Sequence, residues 1–203
     1  AKLIFSSTCA VYGNAVYLPI DEKHRTIPEN PYGESKLMAE KMISWFGKAH
    51  GLKYVILRYF NVSGADSDGE IGDSKKPSQL LVQNAVRSAL GIETFTLTCP
   101  TVDTRDGTPI RDYIDVLDIV DAHLKSFRYL EEEGENTVLN LGNGRGWSVK
   151  EIIETVKKEL GSNFEIKTSV HPRQGEYKEV YANIEEVKNI LGWQPRRTLK
   201  DTV

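Results

Sequence analysis

Tyr32 and Lys36 stand four residues apart in the stretch Tyr32-Gly33-Glu34-Ser35-Lys36. On a helix that spacing projects both side chains from one face. A phenol with a pKa of ~10 is a poor base at neutral pH, and a neighbouring ammonium stabilises the phenolate and lowers that value. Such a pair is a sensible base for a sugar hydroxyl. Alone it is a weak signal, because a chain this rich in tyrosine and lysine offers about one such pair by chance. Context strengthens it. Upstream, Phe5-Ser6-Ser7-Thr8-Cys9-Ala10-Val11-Tyr12-Gly13 ends an apolar run in a cluster of hydroxyls. Ligands of parallel α/β sheets bind at the carboxyl ends of strands, where Thr8 would bond a substrate hydroxyl beside Tyr32. The plainer alternative is that Ser6, Ser7 and Thr8 only cap the strand.

A second candidate is the glycine loop Gly142-Asn143-Gly144-Arg145-Gly146, with Glu165 downstream where a ribose-binding acid would sit. The dinucleotide fingerprint needs glycine at its sixth position, and Trp147 stands there. The loop therefore reads as a flexible turn into a helix over 148–160, which Ser148 and Glu151 start with a capping box. The chain holds no G-x-G-x-x-G and no Walker loop.

The elements that must position these residues alternate. Strands are expected over 2–7, 54–59, 95–98, 112–116, 137–141 and 164–170. Helices are expected over 31–48, 79–90, 117–129, 148–160 and 184–191. Residues 12–30 and 61–78 read as loops, the second long enough to suggest a function. This alternation predicts an α/β fold with a mainly parallel sheet. Met38, Met42, Trp45 and Phe46 fall at helical spacing, and most of them are expected in the core rather than at an interface. The abrupt apolar start at Leu3-Ile4-Phe5, and a helix that only begins at 198–203, suggest a piece of a longer chain.

Composition excludes several classes. A net charge of −3, from 26 basic and 29 acidic residues, gives no basic surplus for nucleic acid. No apolar run approaches the ~20 residues of a membrane span. Two cysteines, Cys9 and Cys99, build neither a disulfide framework nor a zinc site. No metal is expected, and a cytoplasmic location is the default.

Five blocks occur in order: FSSTCAVYG, NPYGESK, LRYFNVSGA, DGTPIRDYIDVLDIVDAH and HPRQGEYKEVYA. Together they resemble the UDP-glucose 4-epimerases (UDP-galactose 4-epimerases) of the extended short-chain dehydrogenase/reductase superfamily. The resemblance implies the C-terminal part of a Rossmann-type parallel sheet plus a smaller α/β substrate-binding lobe. Residues 1–65 would belong to the NAD-binding domain and 66–203 mainly to the UDP-sugar lobe, with the glycine-rich NAD loop in a preceding half. It also implies a homodimer, paired through the tyrosine–lysine helix.

Carried over by position, Thr8, Tyr32 and Lys36 match the family's catalytic triad. Tyr32 would take the C4 hydroxyl proton, Lys36 would hold the nicotinamide ribose, and Thr8 would bond the sugar hydroxyl. The reaction implied passes through a 4-keto intermediate with NAD retained. Ser6, Tyr59 and Phe60 would also line the cofactor. Asn61, Arg111 and Arg173 would grip the diphosphate, and Glu176 a ribose hydroxyl. Thr96, Leu97 and Thr98 would present backbone to uracil, with Gln79 and Leu80 also at the nucleotide. Val180 matches a position where bulk excludes N-acetylated sugars, so UDP-N-acetylhexosamines should be weak substrates at most. UDP-xylose and UDP-arabinose stay open. A dehydratase or decarboxylase would need an acid pair where Cys9-Ala10-Val11 stand. A UDP-sugar-binding piece without turnover is a further alternative.

Overall fold

The computed structural model describes residues 1–76, 78–171 and 176–203. In chain order the elements begin with β1 (Lys2–Thr8), a 3-10 turn (Cys9–Tyr12), α1 (Pro31–His50), β2 (Lys53–Tyr59), β3 (Asn61–Ser63) and α2 (Leu81–Ala89). They continue with β4 (Phe95–Leu97), β5 (Ile110–Asp115), α3 (Val116–Glu131), β6 (Thr137–Leu141), β7 (Gly146–Ser148) and α4 (Val149–Glu159). β8 (Ile166–Thr168), β9 (Glu179–Val180), α5 (Glu185–Leu191) and α6 (Leu199–Thr202) complete the chain.

Strands buried on both faces read as near-continuous apolar runs; among β1, β2 and β6 the central β2 does so, with Val55, Ile56 and Leu57 buried, whereas Leu3, Ile4 and Phe5 of β1 are half-buried. The three strands form a parallel sheet in the order β1-β2-β6, so the chain leaves the sheet after β2 and returns to it after α3. Successive side chains point to opposite faces. Ser7 and Arg58 face α1, where both meet Glu40, whereas Ser6 and Tyr59 face α3 and its His123. The sheet is thus a middle layer between two helices.

β5 organises the second sheet. Its residues Tyr113, Ile114 and Asp115 pair with β3, Ile110 and Arg111 pair with β9, and Ile110–Asp112 run antiparallel to β7. β4 and β8 make a separate parallel pair, and Phe95 there packs with α2 and α4 in a second core.

The helix starts follow local chemistry. Asn30 caps α1 by accepting from the Gly33 N–H at 2.8 Å, and Pro31 supplies the first helical residue without losing a hydrogen bond. Gly51 ends α1 in the left-handed conformation, with φ 66°. The capping box of Ser148 and Glu151 is present on α4.

Four expectations need correction. The loop over 61–78 opens with β3, and the expected strand over 164–170 shortens to β8. The glycine loop is pinned rather than flexible. Asp112 is fully buried and accepts from the Asn143, Gly144 and Ala182 N–H groups at 2.6, 3.0 and 3.1 Å. Gly142 has no room for a Cβ against that carboxylate, and Gly146 enters β7 where a Cβ would lie 2.5 Å from Ile110. The glycines therefore serve close backbone approach. Finally, Met38, Met42, Trp45 and Phe46 lie on the exposed side of α1, Trp45 at 68% exposure. The core side of that helix carries Gly33, Leu37 and Glu40 instead.

Among the described residues, no helix is long and apolar enough to cross a membrane, and no group of three His, Cys, Asp or Glu is placed to hold a metal ion.

Burial pushes the Asp112 carboxyl up from 3.8 to about 6, against three N–H donors that pull it down. A carboxyl that keeps its proton better folded than unfolded stabilises at low pH. That contribution is lost as pH rises through about 6. Asp112→Asn removes the titration, so the stability difference between parent and variant should favour the parent most at pH 4. It should shrink by about 2–3 kcal/mol toward pH 7 in denaturant unfolding. A difference that widens toward pH 7 would mean that the N–H donors outweigh burial.

Candidate active site

Capping at Asn30 places Tyr32 on the first turn of α1 and Lys36 one turn further. The Lys36 ammonium donates to the Ser6 carbonyl at 3.0 Å, at the carboxyl end of β1. It also lies 5.1 Å from the centroid of the Phe5 ring and 6.0 Å from that of Tyr32. These are cation–π distances. Tyr32 is 56% exposed, and its hydroxyl makes no hydrogen bond among the described residues.

Thr8 ends β1 and caps the 3-10 turn, its hydroxyl accepting from the Ala10 N–H at 3.2 Å. The hydroxyl proton is then left to be given elsewhere. Gly33 brings this turn to α1: a Cβ there would lie 2.5 Å from the Ala10 carbonyl oxygen. The glycine between Tyr32 and the lysine is thus a contact residue, and no motif in the sequence signalled this. Opposite, the Tyr59 hydroxyl shares 2.8 Å hydrogen bonds with Ser6 Oγ and His123 Nε2. Burial pushes the Tyr59 phenol up, partly offset by the Ser6 bond. Thr8, Ser6, Tyr32, Lys36 and Tyr59 therefore gather at one strand end.

Behind them runs a buried polar chain. Ser7 Oγ donates to Glu40 at 2.5 Å, and Arg58 reaches the same carboxylate through Nε at 3.1 Å and Nη2 at 2.6 Å. Arg58 Nη1 donates to the Tyr12 hydroxyl at 2.9 Å, and that hydroxyl donates to Asn140 Oδ1 at 2.7 Å. Asn140 Nδ2 donates in turn to the Ile20 carbonyl at 3.0 Å. Burial works against the Arg58 charge, yet Glu40 and Tyr12 hold its pKa above the usual range. Burial also pushes the Tyr12 phenol up. The available signal was an arginine inside the apolar run YVILRY and a glutamate four residues after Lys36.

A second group forms on β5 and the segment before β9. The Arg111 guanidinium pairs with Glu176 at 2.5 Å, both side chains less than a fifth exposed. Glu176 and Tyr177 line a cavity of about 450 Å³ with Asn14, Ala15 and Leu18. Cys9, beside Thr8, feels the Arg111 charge; burial dominates and pushes its thiol up to about 12. Arg111 is thus close to the Thr8 turn. Val180 pairs with Arg111 across the strands and is 6% exposed, packed into the main core. Arg173 lies outside the described residues.

The remaining candidates are spread. Phe60 is buried, its N–H bonded to the Leu141 carbonyl, while Asn61 opens β3 and is exposed. Thr96 and Leu97 lie on β4, with Thr98 just beyond it. Ser169 donates its N–H to the Leu97 carbonyl at 2.8 Å, so that carbonyl is already engaged. Gln79 and Leu80 are exposed and precede α2.

An α/β unit whose parallel strand end gathers hydroxyls against an exposed tyrosine and a lysine one turn apart is of the Rossmann-like, short-chain dehydrogenase/reductase kind. The comparisons agree: the chain belongs to the NAD dependent epimerase/dehydratase family, whose model matches residues 1–142. It is 43% identical over its whole length to the UDP-glucose 4-epimerase of Halalkalibacterium halodurans, covering 60% of that protein. It superposes with a TM-score of 0.92 and 39% identity on the UDP-glucose 4-epimerase of Brucella ovis in complex with NAD. There it covers all of this chain and 62% of the other. It is also 41% identical to a putative UDP-arabinose 4-epimerase of Arabidopsis thaliana, spanning 47% of it. The chain thus spans about 60% of the length of the curated UDP-glucose 4-epimerases it matches.

If Gly33 sets the approach of α1 to the Thr8 turn, Gly33→Ala must push the two apart. Thermal unfolding should show a loss of about 1–3 kcal/mol. An unchanged Tm would mean that the helix start accommodates a methyl without moving.

Proposed function

We infer that the complete protein is an NAD-dependent UDP-sugar 4-epimerase that interconverts UDP-glucose and UDP-galactose. The observation that carries this reading is the Lys36–Ser6 hydrogen bond, which seats the tyrosine–lysine pair at the carboxyl end of β1. In this reading Tyr32 accepts the C4 hydroxyl proton, and its exposed phenol is open to a sugar. Thr8 donates to the same sugar hydroxyl. Lys36 spends one of its three donors on Ser6, which leaves two for ribose hydroxyls. That donor set, with the Ser6 and Tyr59 hydroxyls behind it and Phe60 at the end of β2, suits a nicotinamide ribose. The chemistry that NAD supplies when bound is reversible hydride transfer at sugar C4.

Arg111 is the candidate for the pyrophosphate, with Arg173 as its partner; a guanidinium fork matches phosphate geometry. Its present partner is Glu176, the candidate for a uridine ribose hydroxyl, so an incoming diphosphate must share or displace that carboxylate. Asn61 serves the diphosphate sugar. Thr96, Leu97, Thr98, Gln79 and Leu80 are assigned to the nucleotide. Val180 is assigned to the sugar-size limit, acting through the packing around Arg111.

UDP-arabinose and UDP-xylose form a second reading, favoured by the 41% identity to the putative arabinose enzyme. The protein would work as a homodimer. Met38, Met42, Trp45 and Phe46 on the open side of α1 offer a second copy an apolar face beside the site.

A coupled epimerase assay on the full-length protein tests the reading. Turnover of UDP-galactose should exceed that of UDP-N-acetylgalactosamine. Tyr32→Phe should lower kcat by about 10²–10⁴-fold with little change in KM. A wild-type rate in Tyr32→Phe would remove the base assignment, and faster turnover of UDP-xylose would replace the hexose by a pentose.

A further inference from the structure

Tyr32, Lys36 and Glu40 follow one another at four-residue steps, so they share a stripe of α1. Only Tyr32 and Lys36 are accounted for by the proposed chemistry. Glu40 is 5% exposed, and a carboxylate is buried this deeply only with firm partners. Its partners are informative in kind and in place. Ser7 lies between Ser6, whose carbonyl takes the Lys36 ammonium, and Thr8. The α1 stripe is therefore hooked to β1 twice, at adjacent residues, one turn apart on the helix.

The second hook is itself held. Arg58 forks both oxygens of Glu40 from the central strand, and Tyr12 and Asn140 hold Arg58 in turn. In register, Ser7 faces Arg58 and Arg58 faces Asn140, so the anchors form one row across the three parallel strands. Tyr12 belongs to the turn that Thr8 caps. Every element bearing a member of the proposed triad is tied to this row.

We propose that Glu40 and Arg58 are the positioning residues of the epimerase site: their buried pair fixes where α1 sits on β1, and so holds Tyr32 and Lys36 against Thr8. Lys36 alone gives α1 one polar hold on β1, beside the packing of Gly33 and Leu37. Two hooks one turn apart stop the helix from pivoting. A displacement of about 1 Å at a reacting group costs on the order of 10²-fold in rate. The pair thus acts on turnover through Tyr32 without touching substrate. This inference rests on the base assignment for Tyr32.

The test uses the full-length protein with NAD. Glu40→Gln keeps the shape and removes the charge that holds Arg58. It should lower kcat by about 10–100-fold and change KM for UDP-galactose by less than about threefold. A merely structural pair would lower Tm and leave kcat of the folded enzyme unchanged. Glu40→Gln combined with Arg58→Met removes the buried charge left unpaired and should recover Tm without recovering kcat. The combined variant decides the matter if the single one does not fold.

A folded variant of either kind with kcat within twofold of the parent overturns the proposal. Tyr32→Phe separates the two claims. If it is inactive while the Glu40 variants turn over normally, the positioning role fails and the base assignment stands. If Tyr32→Phe turns over normally, the base assignment fails first.

Discussion

An ion pair with both side chains less than a tenth exposed, Glu40 with Arg58, holds the first sheet and its helix together. Taking two charges out of water costs several kcal/mol per ion, and attraction between them repays this only with good geometry and satisfied neighbours. The geometry here is a two-pronged fork, and the neighbours are a serine, a tyrosine and an asparagine that use the remaining donors and acceptors. A half-satisfied network is worse than an apolar core, because each unpaired group keeps its desolvation cost. The five residues come from five separate elements. Forming the network therefore demands that β1, β2, β6, α1 and the 3-10 turn all arrive in one register. An apolar layer of similar volume would tolerate sliding; this row does not.

Buried carboxylates do the same work in the rest of the chain. Asp112 collects three backbone N–H groups, two from the glycine loop and one from Ala182 just beyond β9. Asp118, 2% exposed, collects the N–H groups of Arg196 and Arg197 and the Arg197 guanidinium. Both loops lack regular structure, and their backbone groups need partners wherever water is excluded. A carboxylate with two oxygens and about four lone-pair sites gathers several donors at one point. Asp112 adjoins Arg111, so the loop anchor and the candidate phosphate ligand move as a unit with β5.

What the sequence made legible was what nearest neighbours decide. The capping box at Ser148 and Glu151 and the apolar strands β1, β2 and β6 needed only local pattern, and the structure has them. The Tyr32–Lys36 spacing likewise placed both on one face of a helix, one turn apart. β3, β7 and β9 were missed because runs of two or three residues carry no period, and pairing with β5 alone makes them strands. The polarity of α1 was misread for a related reason. Periodicity marks an apolar stripe but not what covers it, and here the methionines, Trp45 and Phe46 stay open while Glu40 goes inside. A glutamate is an unlikely core residue until its arginine is known, and that arginine is 18 residues away. The glycine loop was legible as a non-fingerprint through Trp147, but its true task depends on Asp112, 31 residues from Asn143.

The two parts of the candidate site meet at the 3-10 turn. Its first residues, next to Thr8, lie within the influence of Arg111, and the Glu176–Tyr177 segment borders the cavity that Asn14 and Ala15 also line. Tyr177 senses Glu29 just before α1, with burial the larger influence. The proposed proton-handling pair and the proposed diphosphate grip are therefore joined through short stretches of chain, not across a flexible linker. Such coupling matters for a reaction in which a small sugar must be offered to one base while its nucleotide stays anchored. In the proposed reading, a sugar nucleotide held at Arg111 would present its sugar along a short arc in front of the Tyr32 phenol. Binding energy from the nucleotide would then do its work at the reacting carbon, and the buried row beneath α1 would keep that arc in place.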